Sequence, residues 1–152
     1  MTAKAKNIVF VEDNEVVLAA YRIAIQREGY CVQPASDGLE AMRILHSTVP
    51  DLVVLDLMLP KFNGVEVLNY IRSDMRLKTL PVIIFSTNSI IDSEDEPLLE
   101  GATKRLIKSQ CNATILLQAI RDVLAGTTPE NADIPGRHPY SLLLQPWESV
   151  TA

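Results

Sequence analysis

Apolar residues collect in short unbroken runs along this chain, and each run is followed at once by a side chain that can do chemistry. Ile8-Val9-Phe10-Val11 is followed by Glu12 and Asp13, and Leu52-Val53-Val54-Leu55 by Asp56. Val82-Ile83-Ile84-Phe85 leads into Ser86 and Thr87, and Arg105-Leu106-Ile107 into Lys108. Four or so consecutive aliphatics without a polar alternate read as a strand buried on both faces, the pattern of a parallel sheet covered by helices. These runs predict strands β1 (8–11), β3 (52–55), β4 (82–85) and β5 (105–107). A shorter β2 is expected over about Tyr30 to Gln33. Pro50 precedes β3 and Pro81 opens β4, positions that tolerate a missing N–H.

Between the runs, apolar positions recur at helical spacing. The pattern predicts α1 from about Glu15 to Glu28, with Val17, Leu18, Tyr21 and Ile25 facing inward and Gly29 as its stop. Asp37-Gly38 turns the chain into α2 with Ala41, Ile44 and Leu45. α3 follows from about Gly64 to Ser73, carried by Val65, Val67, Leu68 and Ile71. The weakest helix is α4, Ser89 to Glu100. It gathers Asp92, Glu94, Asp95 and Glu96, and Pro97 fits only a first turn, so a shortened or shifted helix is expected. The last, α5, runs from about Asn112 to Leu124 on Ile115, Leu116, Ala119, Ile120, Val123 and Leu124, with Gly126 ending it. Strand and helix alternate five times, which predicts the α/β class and a doubly wound five-stranded parallel sheet.

Composition narrows the choices. The chain has 152 residues, 47% of them hydrophobic, with no long apolar stretch, so one soluble domain without a transmembrane segment is expected. Met1 to Lys6 lacks the apolar core of a secretory signal, and a cytoplasmic location is the expectation. A net charge of −5 argues against nucleic-acid binding, which needs Lys and Arg to neutralise phosphates. Cys31 and Cys111 form no CxxC pair and read as core thiols. The chain divides into a domain over 1–126 and an extension over 127–152. With Pro129, Pro135, Pro139 and Pro146, that extension is too short and irregular for a helix-turn-helix effector. Its apolar part, Tyr140 to Trp147, is expected to bury itself on its own domain or across a dimer.

A side chain that follows a parallel strand lies at the carboxyl edge of the sheet, where α/β folds bind ligands. Glu12, Asp13 and Asp56 there form a hard, oxygen-rich site suited to Mg²⁺. Singly, each residue has an ordinary reading: an acid pair favoured by a helix dipole, a serine N-cap, a solvated lysine. Their joint order is what carries the signal. No GxxxxGK or GxGxxG loop is present, so nucleotide binding is not indicated. A haloacid dehalogenase-like phosphatase would want a second Asp where Met58 stands, and without that general acid the turnover of phosphate esters is not expected.

Taken together, Glu12, Asp13, Asp56, Ser86 and Lys108 make residues 6 to 125 resemble the receiver domain of the two-component response regulators. The resemblance implies a flavodoxin-like (βα)5 fold and a signalling protein rather than a classical enzyme. It implies Asp56 as the phosphoacceptor, Ser86 as the hydroxyl and Lys108 as the lysine that contact the phosphoryl group. It implies Mg²⁺ held by Asp13 and Asp56 directly, by Glu12 and by the main-chain carbonyl of Met58. The implied partner is a cognate histidine kinase. In size, in the Lys108-Ser109 pair and in the extension past α5, the chain is similar to the stand-alone responders of bacterial phytochromes, which implies a phytochrome-type photoreceptor kinase. A homodimer through the α4-β5-α5 face is expected, with Leu117 broadening the apolar side of α5.

Four positions depart from the family pattern. Arg105 stands where an aromatic switch residue is usual. Ser109 replaces the proline after the lysine, so the preceding peptide bond is expected to be trans, the cis form costing about 2.5–4 kcal/mol without proline. Thr87 adds bulk after the hydroxyl residue, and Pro97 reshapes α4. The departures at Arg105 and Ser109 keep open a second reading, a receiver-like scaffold that is never phosphorylated.

Overall fold

The computed structural model describes residues 4–87 and 100–126, and in it the aliphatic runs lie side by side in one sheet. β1 spans Asn7–Val11, β2 Cys31–Ala35, β3 Leu52–Leu55, β4 Val82–Ser86 and β5 Lys104–Ile107. All neighbours are parallel, in the order β2-β1-β3-β4-β5. The chain steps outward from β1 in both directions, and that reversal opens a crevice at the carboxyl ends of β1 and β3. Register aligns Val11 with Leu55, so Glu12 and Asp56 stand level, one residue past the paired strands.

Every residue of β3 is fully buried, which is why no polar alternate interrupts it. One face of the sheet, with Val9, Val11, Val53, Leu55 and Ile84, packs under α2 and α3. The other, with Ile8, Phe10, Val54, Ile83 and Phe85, packs under α1 and α5. Each such side chain contributes about 1.5–3 kcal/mol by leaving water. The helices are α1 (Glu15–Arg27), α2 (Gly38–Ser47), α3 (Gly64–Ser73) and α5 (Ala113–Leu124). All four start at the carboxyl edge under a side-chain cap, from Asn14, Asp37, Asn63 and Asn112. Asn63 and Glu66 form a reciprocal capping box.

Several expectations need correction. β2 continues through Pro34 to Ala35, because it is an edge strand and a proline there costs no ladder bond on its open side. Cys31 is exposed at the start of that strand rather than a core thiol; Cys111 is half-buried, and both are free. β5 begins at Lys104, not Arg105, and both cations are buried. The α3–β4 connection is held by Arg72, whose guanidinium donates to the carbonyls of Leu80 at 2.7 Å, Lys78 at 3.2 Å and Gly101 at 2.7 Å. Residues 88–99, which hold most of the predicted α4 with Pro97, and the extension from 127 lie outside the described residues. Among those described, no helix is long and apolar enough to cross a membrane.

Candidate functional site

Asp56 follows β3 directly and is 3% exposed. Its N–H donates to the Val11 carbonyl at 3.1 Å, fixing the backbone to β1. Its Oδ1 accepts from the Ser86 hydroxyl and from the Met58 N–H, both at 3.1 Å. Its Oδ2 accepts from the Lys108 ammonium at 2.9 Å. Glu12, 1% exposed, brings Oε1 to 2.6 Å from the same ammonium. Asp13 is exposed beside them, and Glu12, Asp13 and Asp56 each offer an oxygen within 4.8 Å of the others. The structure thus brings together Glu12, Asp13, Asp56, Ser86 and Lys108 from the ends of four strands. Met58 joins through its main chain, its side chain 58% exposed.

Three carboxylates against one ammonium leave a formal excess of two negative charges. Burial, with Asp56 alongside, pushes the Glu12 carboxyl up to about 7 against the opposing pull of Lys108. Burial depresses the Lys108 ammonium, but Glu12 and Asp56 outweigh it and the net direction is up. The close ion pair leaves Glu12 Oε1 without an aligned hydrogen bond. A buried, under-satisfied carboxylate oxygen in an all-oxygen, net-negative cluster is what a hard divalent cation fits.

Lys108 is positioned from two sides. Its backbone enters a single 3-10 turn, Lys108–Gln110, closed by the Cys111 N–H on the Lys108 carbonyl at 3.2 Å. The Lys108–Ser109 bond is trans, as Ser109 led one to expect. The ammonium sits 5.6 Å from the centroid of the Phe85 ring, a cation–π contact. Phe85 is itself packed edge-on against Tyr21 at 5.1 Å and Phe10 at 6.1 Å. Sequence reasoning took Phe85 only as a strand residue; an aromatic directly before Ser86 was the available signal.

The loop after Asp56 depends on two close approaches that the sequence reading also missed. Gly64 opens α3, and its N–H donates to the Leu57 carbonyl at 3.0 Å. A Cβ there would lie 2.3 Å from the Asp56 carbonyl oxygen. At the start of α2, a Cβ on Gly38 would meet the Phe62 carbonyl oxygen at 1.8 Å. Between them Lys61 takes φ 54° and pairs with Asp37 at 3.3 Å.

Comparison with known proteins agrees with this geometry. The family model of the response regulator receiver domain matches residues 8–121. The transcriptional regulatory protein CseB of Streptomyces coelicolor is 33% identical over 123 residues, 80% of this chain and 50% of that protein. The chain therefore spans about half the length of such relatives. The polar-differentiation response regulator DivK of Brucella ovis is 29% identical over 78% of this chain and 96% of its own length. Among solved structures, a two-component response regulator of the LuxR family from Aurantimonas is 32% identical with a TM-score of 0.71, covering 85% of this chain and 94% of that one. The receiver domain of the sensor histidine kinase PA1611 from Pseudomonas aeruginosa is described with a magnesium ion coordinated in its active-site cleft. It is 26% identical, with a TM-score of 0.71 over 81% of this chain and 99% of that one. With the family model covering its sheet and its acidic crevice alike, this chain belongs to the response regulator receiver domain family.

Proposed function

We propose that this chain is a response regulator, a receiver domain over residues 1–126 with an extension over 127–152, that takes a phosphoryl group onto Asp56 from a histidine kinase and signals through altered protein contacts. The observation that carries the reading is one buried carboxylate held by a hydroxyl and an ammonium, with two further acids beside it. Glu12, Asp13, Asp56 and the Met58 carbonyl would hold Mg²⁺, whose charge would offset the repulsion between Asp56 and the incoming phosphoryl oxygens. PA1611's receiver domain, with its magnesium ion, supports that assignment by likeness.

In the proposed transfer an Asp56 carboxylate oxygen forms a bond to phosphorus as the N–P bond of the donor phosphohistidine breaks, and the imidazole nitrogen keeps the electron pair. Before transfer, Ser86 and Lys108 orient the carboxylate. After it, the Lys108 ammonium and the Ser86 O–H serve the phosphoryl oxygens, where charge has developed. The test is intact-protein mass spectrometry after incubation with Mg²⁺ and acetyl phosphate. One acid-stable, base-labile adduct is expected, absent from Asp56→Asn. An equal adduct on that variant overturns the assignment, and no adduct on the native chain from acetyl phosphate or kinase favours the scaffold reading.

The narrower partner, a phytochrome-type kinase acting in the cytoplasm, rests on the Lys108-Ser109 pair. A homodimer through the face of β5 and α5 rests on Leu117, which is only partly buried at the margin of its cluster. A self-complementary apolar strip on one helix suits a twofold axis. Light scattering should give a dimer for the native chain at high micromolar concentration and a monomer for Leu117→Lys. A monomeric native chain, with and without beryllofluoride, overturns the dimer.

A further inference from the structure

The end of the sheet opposite Asp56 carries an open groove of about 190 Å³, between the first residues of β1 and β2 and the α2–β3 connection. Cys31, Val32, Gln33, Thr48, Val49 and Pro50 help line it. Val49 is 54% exposed and Cys31 is exposed as well. Next to it, a second depression brings Lys4 and Lys6, both exposed, beside Val49 and Asp51; the Asp51 carboxylate accepts from the Asn7 N–H at 2.7 Å, and the two ammonium groups outnumber it. An apolar recess with a basic rim asks for an occupant that is apolar at its centre and acidic at its margin.

The chain itself continues from this end of the molecule. α5 runs back antiparallel to β5, and near its end Arg121 pairs with Glu28 at 3.7 Å, three residues before Cys31. After Gly126 the sequence has 26 more residues, with Leu142, Leu143 and Leu144, then Trp147 followed by Glu148. Twenty residues lie between Gly126 and Trp147, a reach of up to roughly 70 Å, against a radius of gyration of about 14 Å for a domain of this size. Length is therefore no obstacle. An indole is an apolar body of about the groove's size with one N–H donor, and Gln33 and Thr48 offer oxygens to accept it. Glu148, next in sequence, complements Lys4 and Lys6.

We infer that the segment 142–148 docks in this groove on its own domain, with Trp147 as the anchor and Glu148 against Lys4 and Lys6. Docking there covers Cys31 and is independent of Asp56, at the other end of the strands. Trp147 is the only tryptophan, so its fluorescence reads the segment directly in the full chain.

The experiment pairs acrylamide quenching of Trp147 with the labelling rate of Cys31 in a Cys111→Ser background. Several-fold weaker quenching than free tryptophanamide is expected, restored by Val49→Glu, a surface change that leaves the core intact. Cys31 should react several-fold faster in Trp147→Ala. Quenching like the free amide, with Cys31 equally reactive in both chains, overturns the inference. So does protection relieved by Leu117→Lys but not by Val49→Glu, which places the segment on the β5–α5 face. Protection lost on dilution assigns it to a second copy and overturns the intramolecular form.

Discussion

Gly64→Ala should damage the site without altering any side chain proposed to handle phosphate, through the Asp56 backbone alone. The added Cβ would lie 2.3 Å from the Asp56 carbonyl oxygen and 2.5 Å from the Leu57 Cα, where real Cβ atoms keep at least 3.0 Å. The neighbours are backbone, not the soft end of a side chain, so the two segments must part by roughly 1 Å. α3 cannot yield by fraying, because Asn63 and Glu66 lock its first turn, and the Asp56 N–H is tied to Val11. The strain therefore falls on the Asp56–Gly64 loop and on the Gly64 N–H bond to Leu57. Overpacking of this kind costs about 1–3 kcal/mol, and the weakened hydrogen bond adds about 1 kcal/mol.

The chemical effect is separate from the loss of stability. A misplacement of about 1 Å at a reacting group costs roughly 10²-fold in rate, so Mg²⁺-dependent labelling by acetyl phosphate should slow by one to two orders of magnitude. Gly29→Ala is the control. Gly29 has φ +91° with open space around it, at the far end of α1. Alanine there should cost stability, about 1 kcal/mol for the left-handed backbone, and leave labelling unchanged. Urea unfolding and intact-mass kinetics measure both effects. A Gly64→Ala protein that unfolds within about 0.5 kcal/mol of the native one and labels at its rate would refute the close-approach argument.

Two further outcomes are expected. Asp13→Ala should lose more Mg²⁺ affinity than Glu12→Ala, because Glu12 is buried against Lys108 whereas Asp13 is exposed at the crevice; Mg²⁺ titration of the labelling rate decides, and an undiminished Asp13 variant refutes it. Burial pushes Lys104 down from 10.5 to about 8 despite Asp122, so the unfolded chain binds more protons between those values and stability rises with pH across the window. Relative to Lys104→Met, denaturation should show the native chain gaining up to about 2 kcal/mol between about pH 7.5 and pH 9.5; a flat difference refutes the buried-ammonium reading.

What the sequence made legible follows from how a parallel sheet is covered. β1, β3 and β4 are buried on both faces, so they leave unbroken aliphatic runs of strand length. The polar residue after each run must then land at the carboxyl edge, which is why Glu12, Asp56, Ser86 and Lys108 could be named before their distances were known. β2 lacked that signature because it is an edge strand, half covered and interrupted by Pro34. For the same reason Cys31, at its open start, was misplaced in the core.

Other features are invisible in one dimension because they are properties of pairs. Nothing local distinguishes Gly64 as a helix start from Gly64 as the only residue that lets α3 rest against the Asp56 backbone, since the partner lies eight positions earlier. Phe85 likewise looks like one more strand aromatic until Lys108 is folded over its ring. Lys104 is the sharpest case. A lysine at the head of an apolar run reads as the solvated boundary of the strand, yet it is 1% exposed beneath α5, which carries Asp122. The sequence places a charge next to a strand; only packing decides whether water or protein must solvate it. Next to Lys104 in β5 stands Arg105, also buried, at the position where the resemblance to the receiver family leads one to expect an aromatic residue. β5 belongs to the face through which the homodimer is proposed to form.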